Sequence, residues 1–475
     1  MEGCVKDFLQ KKGYTVNENA MTIINECDDW YSNRVIEKFH KRRTINGVNY
    51  ELNRLNLGKR CCSDDANLCE ILEINAGDGG KKQSEKQHTD EQNEFVNAVL
   101  SRNEFNTQYR KQLEKTSADG TVACYVRLDN ATVMDDGTIN GGTIKLNYVE
   151  ADAFLPLTVE NDRVTEAAFS GTALKKGEKQ TTLVLFTLDE NGKYIADTHV
   201  FDKMGKELVN EAKTVTLGEI KPFAVMRVAE VNNLDDMEGY GLPKLWNAIP
   251  TLKIADLCYN VLFSDLDKAE KIVLVNELLC EFDEKTGKPR MTPEQKKLFV
   301  LTGEKLPQEK NVIQEYNPEI RIEQITKAFE LAFSLLSMSF GYGTKKYSFE
   351  NGQITTATEY VGERQDQMQE LNRQRQEAIR YIQDICKAIM WYANTFQGKS
   401  FNLAQEILVD FDDSYITDRE SELERKRNDA LSFDIPKLTI WYLMDAYNLT
   451  EEEATKIVQE KLQQEEQDTA GEDED

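Results

Sequence analysis

Two kinds of apolar periodicity, kept in separate stretches of the chain, predict an α+β fold that is mainly helical with an antiparallel sheet. From Gly120 to about Ala229, runs rich in β-branched and aromatic residues are punctuated by Asp136-Gly137, Asn140-Gly141 and Asn191-Gly192, the pattern of strands joined by tight turns. On both sides of that stretch apolar residues recur every three or four positions, which is helical. No proline falls between Pro318 and Pro436, so helices there run uninterrupted. At 475 residues, 40% hydrophobic and 30% charged, the chain exceeds one typical core and divides into two or more domains.

Residues 1 to about 75 read as mostly helical. Ala20–Tyr31 carries a helical stripe that continues toward Phe39, Asn46-Gly47 marks a turn, and helix resumes from Lys59 to Leu72. The stretch Gly77–Glu91 is Gly-rich and charged without an apolar anchor, which predicts a mobile loop. Helix returns from Asn93 to Glu114. The strands expected next are Val122–Leu128, Thr143–Val149, Thr182–Leu188 and Lys193–Phe201.

Gly239-Tyr-Gly-Leu-Pro-Lys-Leu-Trp246 then enters a helix that runs toward Lys268, with Pro250 inside it as a kink. A small α/β insert follows: a strand at Lys271–Val275, a turn at Lys285–Lys288, a short helix after Thr292-Pro293 and a strand at Asn311–Tyr316. It separates two helices expected to lie side by side. The second of these places Ile322, Ile325, Phe329, Ala332, Phe333, Leu336 and Phe340 on one face, and Gly341 and Gly343 stop it.

A loop, Thr344–Gln353, leads to Thr356-Ala357-Thr358-Glu359. Thr356 and Glu359 are spaced as a capping box. The helix they open is the longest in the chain, about forty residues or roughly 60 Å. Its first half, Gly362–Glu377, has only Met368 and Leu371 as apolar anchors; the expectation is that it buries no core face and lies between subunits. Its second half, with Ile379, Ile382, Cys386, Ile389, Trp391 and Phe396, packs in the ordinary way. A strand at Glu406–Phe411 and helices at Leu438–Tyr447 and Thr450–Leu462 complete the fold, and Glu465–Asp475 reads as a disordered acidic tail.

The net charge is −26, from 58 basic and 84 acidic side chains. Gripping DNA through its phosphates calls for basic stripes, which this composition does not supply; it suits either plain solubility or a surface past which DNA slides. No run of roughly eighteen apolar residues spans a membrane. The start, Met1-Glu-Gly-Cys-Val-Lys-Asp, lacks the marks of a signal peptide, so synthesis in the cytoplasm is expected. The nine cysteines are scattered. Cys61-Cys62…Cys69 has neither CxxC spacing nor a nearby His, which points to reduced structural thiols rather than zinc.

Nucleotide chemistry is not indicated. Gly398-Lys399-Ser400 shares the last letters of a P-loop, but Ala393 stands at the first Gly position and a helix precedes it. His40, His88 and His199 are far apart in sequence. Asp410, Asp412 and Asp413 form the one dense carboxylate group with a structural setting; a nuclease metal centre uses such groups, and strand-end solvation is the simpler account. No catalytic residue, metal or cofactor is expected.

The helix–loop–helix from Ile322 to Gln397, with Thr356-Ala357-Thr358-Glu359 opening its long helix, resembles the portal proteins of tailed bacteriophages, especially long-tailed phages of Gram-positive hosts. The Gly-Leu-Pro entry at 241–243 and the Phe411-Asp-Asp-Ser414 segment are similar to that family too. The resemblance implies a wing at 1–242, a first stem helix at 243–268, a clip at 269–319 and a second stem helix at 320–340. It further implies a tunnel loop at 341–355, a long wing helix with its return strand at 356–413, a crown at 414–462 and a tail at 463–475. It implies a homo-oligomeric ring, a dodecamer, at one capsid vertex of the virion, assembled in the host cytoplasm. Double-stranded DNA would pass through its channel. The large terminase subunit, the major capsid and scaffold proteins and a head–tail adaptor would be partners, with no membrane involved. Lys345, Lys346, Tyr347 and Phe349 would then face DNA from the tunnel loop. Two readings of another class stand beside it: a metal-dependent DNA-processing hydrolase and an elongated coiled-coil scaffold.

Overall fold

The computed structural model describes residues 3–44, 46–77, 83–133, 139–175, 177–209, 212–269, 272–276, 299–302, 313–317, 319–343, 346–347, 365–411, 419–433, 435–447, 449 and 453–460. The N-terminal part is helical, with α1 (Gly3–Lys11), α2 (Glu18–Tyr31), the single turn α3 (Glu37–His40) and α4 (Leu57–Ala66). Asn17 caps α2 by accepting from the Ala20 amide at 3.0 Å, satisfying one of the free amides of the first turn. A small antiparallel hairpin, β1 (Lys41–Arg43) with β2 (Asn49–Glu51), turns around Asn46-Gly47.

Three sequence expectations fail here. The stripe of α2 ends at Tyr31, short of Phe39. The helix expected over Lys59–Leu72 stops at Ala66, and one 3₁₀ turn leads into strand β3 (Ile71–Asn75). The β-branched pair Ile71 and Ile74 serves a sheet whose partner lies more than three hundred residues away, which local periodicity cannot register. The region read as a mobile loop is already helical from Gln83: α5 (Gln83–Arg102) and α6 (Phe105–Asp119) replace the single helix expected over 93–114, and the chain breaks between them with Glu104 at φ 52°.

The central β region has more strands than the four expected. β4 (Thr121–Asp129), the short β5 (Thr132–Val133) and β6 (Ile139–Asn140), β7 (Thr143–Glu150), β8 (Phe154–Glu160), β9 (Arg163–Lys175), β10 (Glu178–Leu188), β11 (Tyr194–Phe201), β12 (Lys213–Thr216) and β13 (Phe223–Arg227) follow in order. β5 and β6 pair with each other, and the rest form one sheet in the order β13-β4-β7 and another in the order β12-β11-β10-β9-β8, antiparallel throughout. Tyr125, Phe154, Phe169, Phe186, Tyr194 and Phe223 interlock between the sheets, with ring centroids 5.0–6.2 Å apart, within the range where aromatic pairs attract. Helix α1 closes the far face of the larger sheet, burying Val5 and Leu9 against Leu155, Leu183, Leu185 and Phe201.

Helix α7 (Lys244–Asp267) follows, with Pro250 inside it. Strands β14 (Ile272–Asn276), β15 (Phe299–Thr302) and β16 (Ile313–Tyr316) make a small sheet in the order β15-β14-β16, parallel on one side and antiparallel on the other. The turn expected at 285–288 and the helix after Thr292-Pro293 lie outside the described residues. Helix α8 (Ile322–Ser339) packs along α7. Their directions are opposed, because Arg321 at the start of α8 holds Asp265 near the end of α7 through two bonds, of 2.9 and 2.7 Å.

The long helix is described from Gln365 as α9 (Gln365–Phe396). It lies against β4 and β13 and buries Leu371, Ala378, Tyr381, Ile382, Ile385 and Ile389. Strand β17 (Leu408–Phe411) pairs antiparallel with β3. Two further helices, α10 (Arg419–Phe433), which the sequence reading did not anticipate, and α11 (Pro436–Tyr447), pack on each other, and residues 453–460 are helical. Among the described residues no helix is long and apolar enough to cross a membrane.

Candidate functional site: the junction of the paired helices

Where α8 ends, four elements converge. Phe340 is fully buried, and the Tyr342 amide reaches back to the Ser337 carbonyl at 3.0 Å, closing the helix through a left-handed residue, Gly341, at φ 75°. A Cβ on Gly341 would stand 3.2 Å from Glu370 Cγ on α9, so the chain leaves α8 pressed against the long helix. The Tyr342 ring then points to α4, where its hydroxyl donates to Asp65 Oδ1 at 2.6 Å.

That same oxygen accepts from Lys244 Nζ at 2.8 Å. Lys244, the first residue of α7, is 1% exposed and also lies 3.0 Å from Glu370 Oε1. Glu370 Oε1 has no well-aligned donor, so this second contact is an ion contact rather than a directed hydrogen bond. Burial works against the ammonium charge, but Asp65 and Glu370 outweigh it and hold the Lys244 pKa above its ordinary value. Half-buried Glu230 adds a further acid, its carboxyl pushed up first by burial and then by the Glu370 charge. One buried cation thus joins α4, α7 and α9.

Gln374, one turn further along α9, accepts from the Ala229 amide at 3.0 Å and donates to the Arg227 carbonyl at 3.1 Å. With Glu370 and Leu371 it turns the front of the described helix inward. This corrects, for the described part of residues 362–377, the expectation that they bury no core face: polar side chains do face the core there, because Lys244 and the backbone groups of Arg227 and Ala229 satisfy them. A stripe drawn back from Ala378 and Ile382 through Gln374, Leu371 and Glu370 would have found it. Lys244, Asp65 and Tyr342 carried no comparable signal, since a buried ion pair is legible only once its partners are neighbours.

Of the residues proposed from sequence for the tunnel loop, Lys346 and Tyr347 are described; Lys345 and Phe349 lie outside the described residues, as do Thr356, Ala357, Thr358 and Glu359. Lys346 is exposed, with Nζ 5.7 Å from the Tyr342 ring centre. Tyr347 is half-buried, its hydroxyl 3.4 Å from Asp64 Oδ2, and burial first and then Cys61 raise its pKa. The root of the loop therefore packs on α4.

The α7 helix is fastened to the N-terminal region a second time. His40 Nδ1 accepts from the Ile36 amide at 2.9 Å, so Nε2 is the donor toward Asp256 Oδ2 at 3.3 Å. Asn260 exchanges two 2.8 Å bonds with the Asn53 backbone. On the same two paired helices, Ile254, Leu257 and Val261 on α7 and Leu331, Leu335 and Met338 on α8 are 38–63% exposed. Each trio repeats at three- and four-residue steps, so each helix carries a second apolar stripe with no partner inside the described chain.

Catalytic geometry does not appear among the described residues. Among the described residues no three His, Cys, Asp or Glu side chains are grouped to hold a metal ion. Asp410 is exposed in β17, and Asp412 and Asp413 lie outside the described residues. His199, in β11, is held between Glu207, at 2.6 Å, and Asp197, at 3.0 Å. The thiols of Cys27, Cys61, Cys62, Cys69, Cys124 and Cys386 are buried and free, and burial raises the pKa of each, which leaves them unreactive.

The family described as phage portal protein, SPP1 Gp6-like, matches residues 72–467. Among solved structures, a chain from the "Neck of native GTA particle computed with C12 symmetry" is similar at 10% identity and a TM-score of 0.35, covering 78% of this chain and 85% of that one. No curated protein matches the chain.

Proposed function

The chain belongs to the SPP1 Gp6-like phage portal family and is a portal subunit of a tailed phage; from that premise we propose how its parts serve the head–tail junction. Copies of the chain close into a ring, a dodecamer, at one capsid vertex of the virion, after assembly in the host cytoplasm. Helices α7 and α8 are the stem around the channel, the β14–β16 sheet belongs to the clip, and α10, α11 and residues 453–460 make the crown. The N-terminal helices, the two larger sheets and α9 form the wing. Double-stranded DNA passes through the channel during packaging and ejection, with Lys345, Lys346, Tyr347 and Phe349 on the loop nearest to it. The large terminase subunit supplies the force, the major capsid and scaffold proteins meet the wing, and a head–tail adaptor docks on the clip. The family is structural, and the chain acts without a cofactor of its own.

The observation that carries the ring is the pair of apolar stripes on α7 and α8. Exposed apolar surface of this regularity marks a protein interface. A head-to-tail contact between two different faces, repeated by rotation, closes into a ring. Native mass measurement of the purified protein tests this. A closed ring is expected, with Leu257→Glu and Leu335→Glu reducing it to small species. A stable monomer of the unmodified protein at micromolar concentration would overturn the reading. Duplex DNA is expected to bind the ring weakly, in about the 10⁻⁴–10⁻⁶ M range of non-specific contacts; salt-sensitive nanomolar binding would contradict a channel past which DNA slides.

A further inference from the structure

We propose that Asp65 positions the root of the loop that leaves α8, by serving as one buried acceptor for both that root and the head of α7. The consequence for DNA passage rests on the portal reading above; the geometry does not. Asp65 Oδ1 accepts from Tyr342 at 2.6 Å and from Lys244 at 2.8 Å, so both donors share one carboxylate oxygen, which offers two lone pairs. Neither donor can shift without disturbing the other. Lys244 also touches Glu370, and Glu370 is the side chain against which Gly341 is pressed. The contacts therefore run from Tyr342 through Asp65, Lys244 and Glu370 back to Gly341, joining the head of α7, the end of α8, α4 and α9 in one closed circuit.

The circuit has little slack. Lys244 and Glu370 are 1% and 5% exposed at their side chains, and Asp65 is 10% exposed. Bonds to charged groups in such surroundings are stronger than in water, and leaving one unmade is costly. Beside Asp65, Asp64 receives the Tyr347 hydroxyl, so two consecutive carboxylates of α4 hold two aromatic side chains at the base of the loop. The α4 helix, far from the stem in sequence, then decides where the loop begins and ties that position to the start of the first stem helix. A tilt of α7 would reach the loop root through Lys244 and Asp65.

Hydrogen exchange of the intact assembly tests this, with Tyr342→Phe removing a single buried oxygen. The expected result is exchange faster by about tenfold or more, the scale of one bond to a charged group, both at residues 340–347 and at residues 244–252, which that hydroxyl does not touch. Strands β9–β11 should not change. Asp65→Asn keeps an acceptor for Tyr342 while weakening the hold on Lys244, so the head of α7 should loosen most and the root should loosen with it, to a smaller degree. Loosening confined to the root in Tyr342→Phe, loosening confined to the head of α7 in Asp65→Asn, or no change in either variant would overturn the proposal. In phage carrying Tyr342→Phe, packaged genome lengths should scatter while rings remain intact. If exchange shows the coupling and packaging is normal, the positioning by Asp65 stands and the loop's part in DNA passage falls.

Discussion

Gly120 and Gly241 cross so closely that the carbonyl oxygen of each occupies the space a Cβ would take on the other. Gly120 ends α6 at φ 82° and starts β4, while Gly241 stands three residues ahead of α7. Around the crossing, the Val228 amide donates to the Gly120 carbonyl at 3.0 Å and the Gly241 amide donates to Thr121 Oγ1 at 2.8 Å. The entry to α7 is thereby locked to the start of β4.

Alanine at either position should be severely destabilising. A Cβ on Gly241 would also lie 2.9 Å from the Val228 nitrogen, and one on Gly120 2.9 Å from the Pro243 nitrogen; both are backbone atoms that cannot swing aside. Overpacking of this kind costs about 3 kcal/mol or more, and Gly120→Ala adds roughly 1 kcal/mol for a left-handed residue with a side chain. Soluble yield and melting temperature of the two variants, beside Gly177→Ala in an open turn, would measure it. Variants that melt with the unmodified protein would refute the close crossing.

Asn103, in the break between α5 and α6, completes the open edge of β7. Its Oδ1 accepts from the Leu146 amide at 3.1 Å and its Nδ2 donates to the Ile144 carbonyl at 3.2 Å, so one side-chain amide stands in for a neighbouring strand. On α5, Asn97, Asn93 and Gln92 do the same for β3 and the residue after it, bonding the Ile74 carbonyl and the Ala76 amide and carbonyl. Asn103→Ala should cost about 1–3 kcal/mol, the price of leaving such groups unmade, with faster exchange confined to β7 and the α5–α6 break. Unchanged exchange in β7 would mean that solvent already serves that edge.

These edges explain why part of the fold was legible and part was not. β4, β7, β10 and β11 were found within a few residues because each carries a run of β-branched and aromatic side chains. β8 was missed because Pro156 argues against a strand; the sheet order puts β8 at an edge, where a missing amide is tolerated. β3 is five residues long and acquires its character from β17. The α7, α8 and α9 helices were read from their stripes, whereas the Lys244, Asp65 and Glu370 cluster was invisible: a lysine and two acids on three elements show no periodicity until the chain folds.

Asp119 sets a pH dependence. It is buried at the end of α6, with Oδ2 3.1 Å from Lys115 Nζ and no hydrogen-bond donor to Oδ1 among the described residues. Burial pushes its carboxyl up to about 7, against an ordinary 3.8, although Lys115 pulls the other way. The folded state therefore holds a proton that the unfolded chain releases. The associated stability is fully present below about pH 4 and is lost as pH rises through about 7. About three units correspond to an upper bound of about 4 kcal/mol. The melting temperature should fall between about pH 4 and pH 7 and level off above that, and Asp119→Asn, which does not ionise, should flatten that decline. An equal decline in both proteins would assign it to other groups or to the overall negative charge.

The last prediction concerns the loop and the DNA it is proposed to meet. Tyr347 is tucked against α4, whereas Lys346 is exposed beside it, so of these two residues it is the cation that projects. Exchanging Lys345 and Lys346 for Glu reverses two charges per subunit, repeated around the ring, and a like-charged field in a narrow channel repels phosphate. Packaged genome length in phage carrying this double change should fall, while Lys111→Glu with Lys456→Glu, at two exposed positions elsewhere, should package normally. Lys346 also sits near the Asp65 cluster, so Glu there adds a like charge to buried carboxylates. The pair Lys345→Gln and Lys346→Gln separates the two effects, because it removes the attraction without adding repulsion and should give a milder loss. Normal packaging by intact Glu-substituted rings would remove these lysines from DNA passage, and failure of rings to form in both the Gln and the Glu variants would make the loop root a structural element alone.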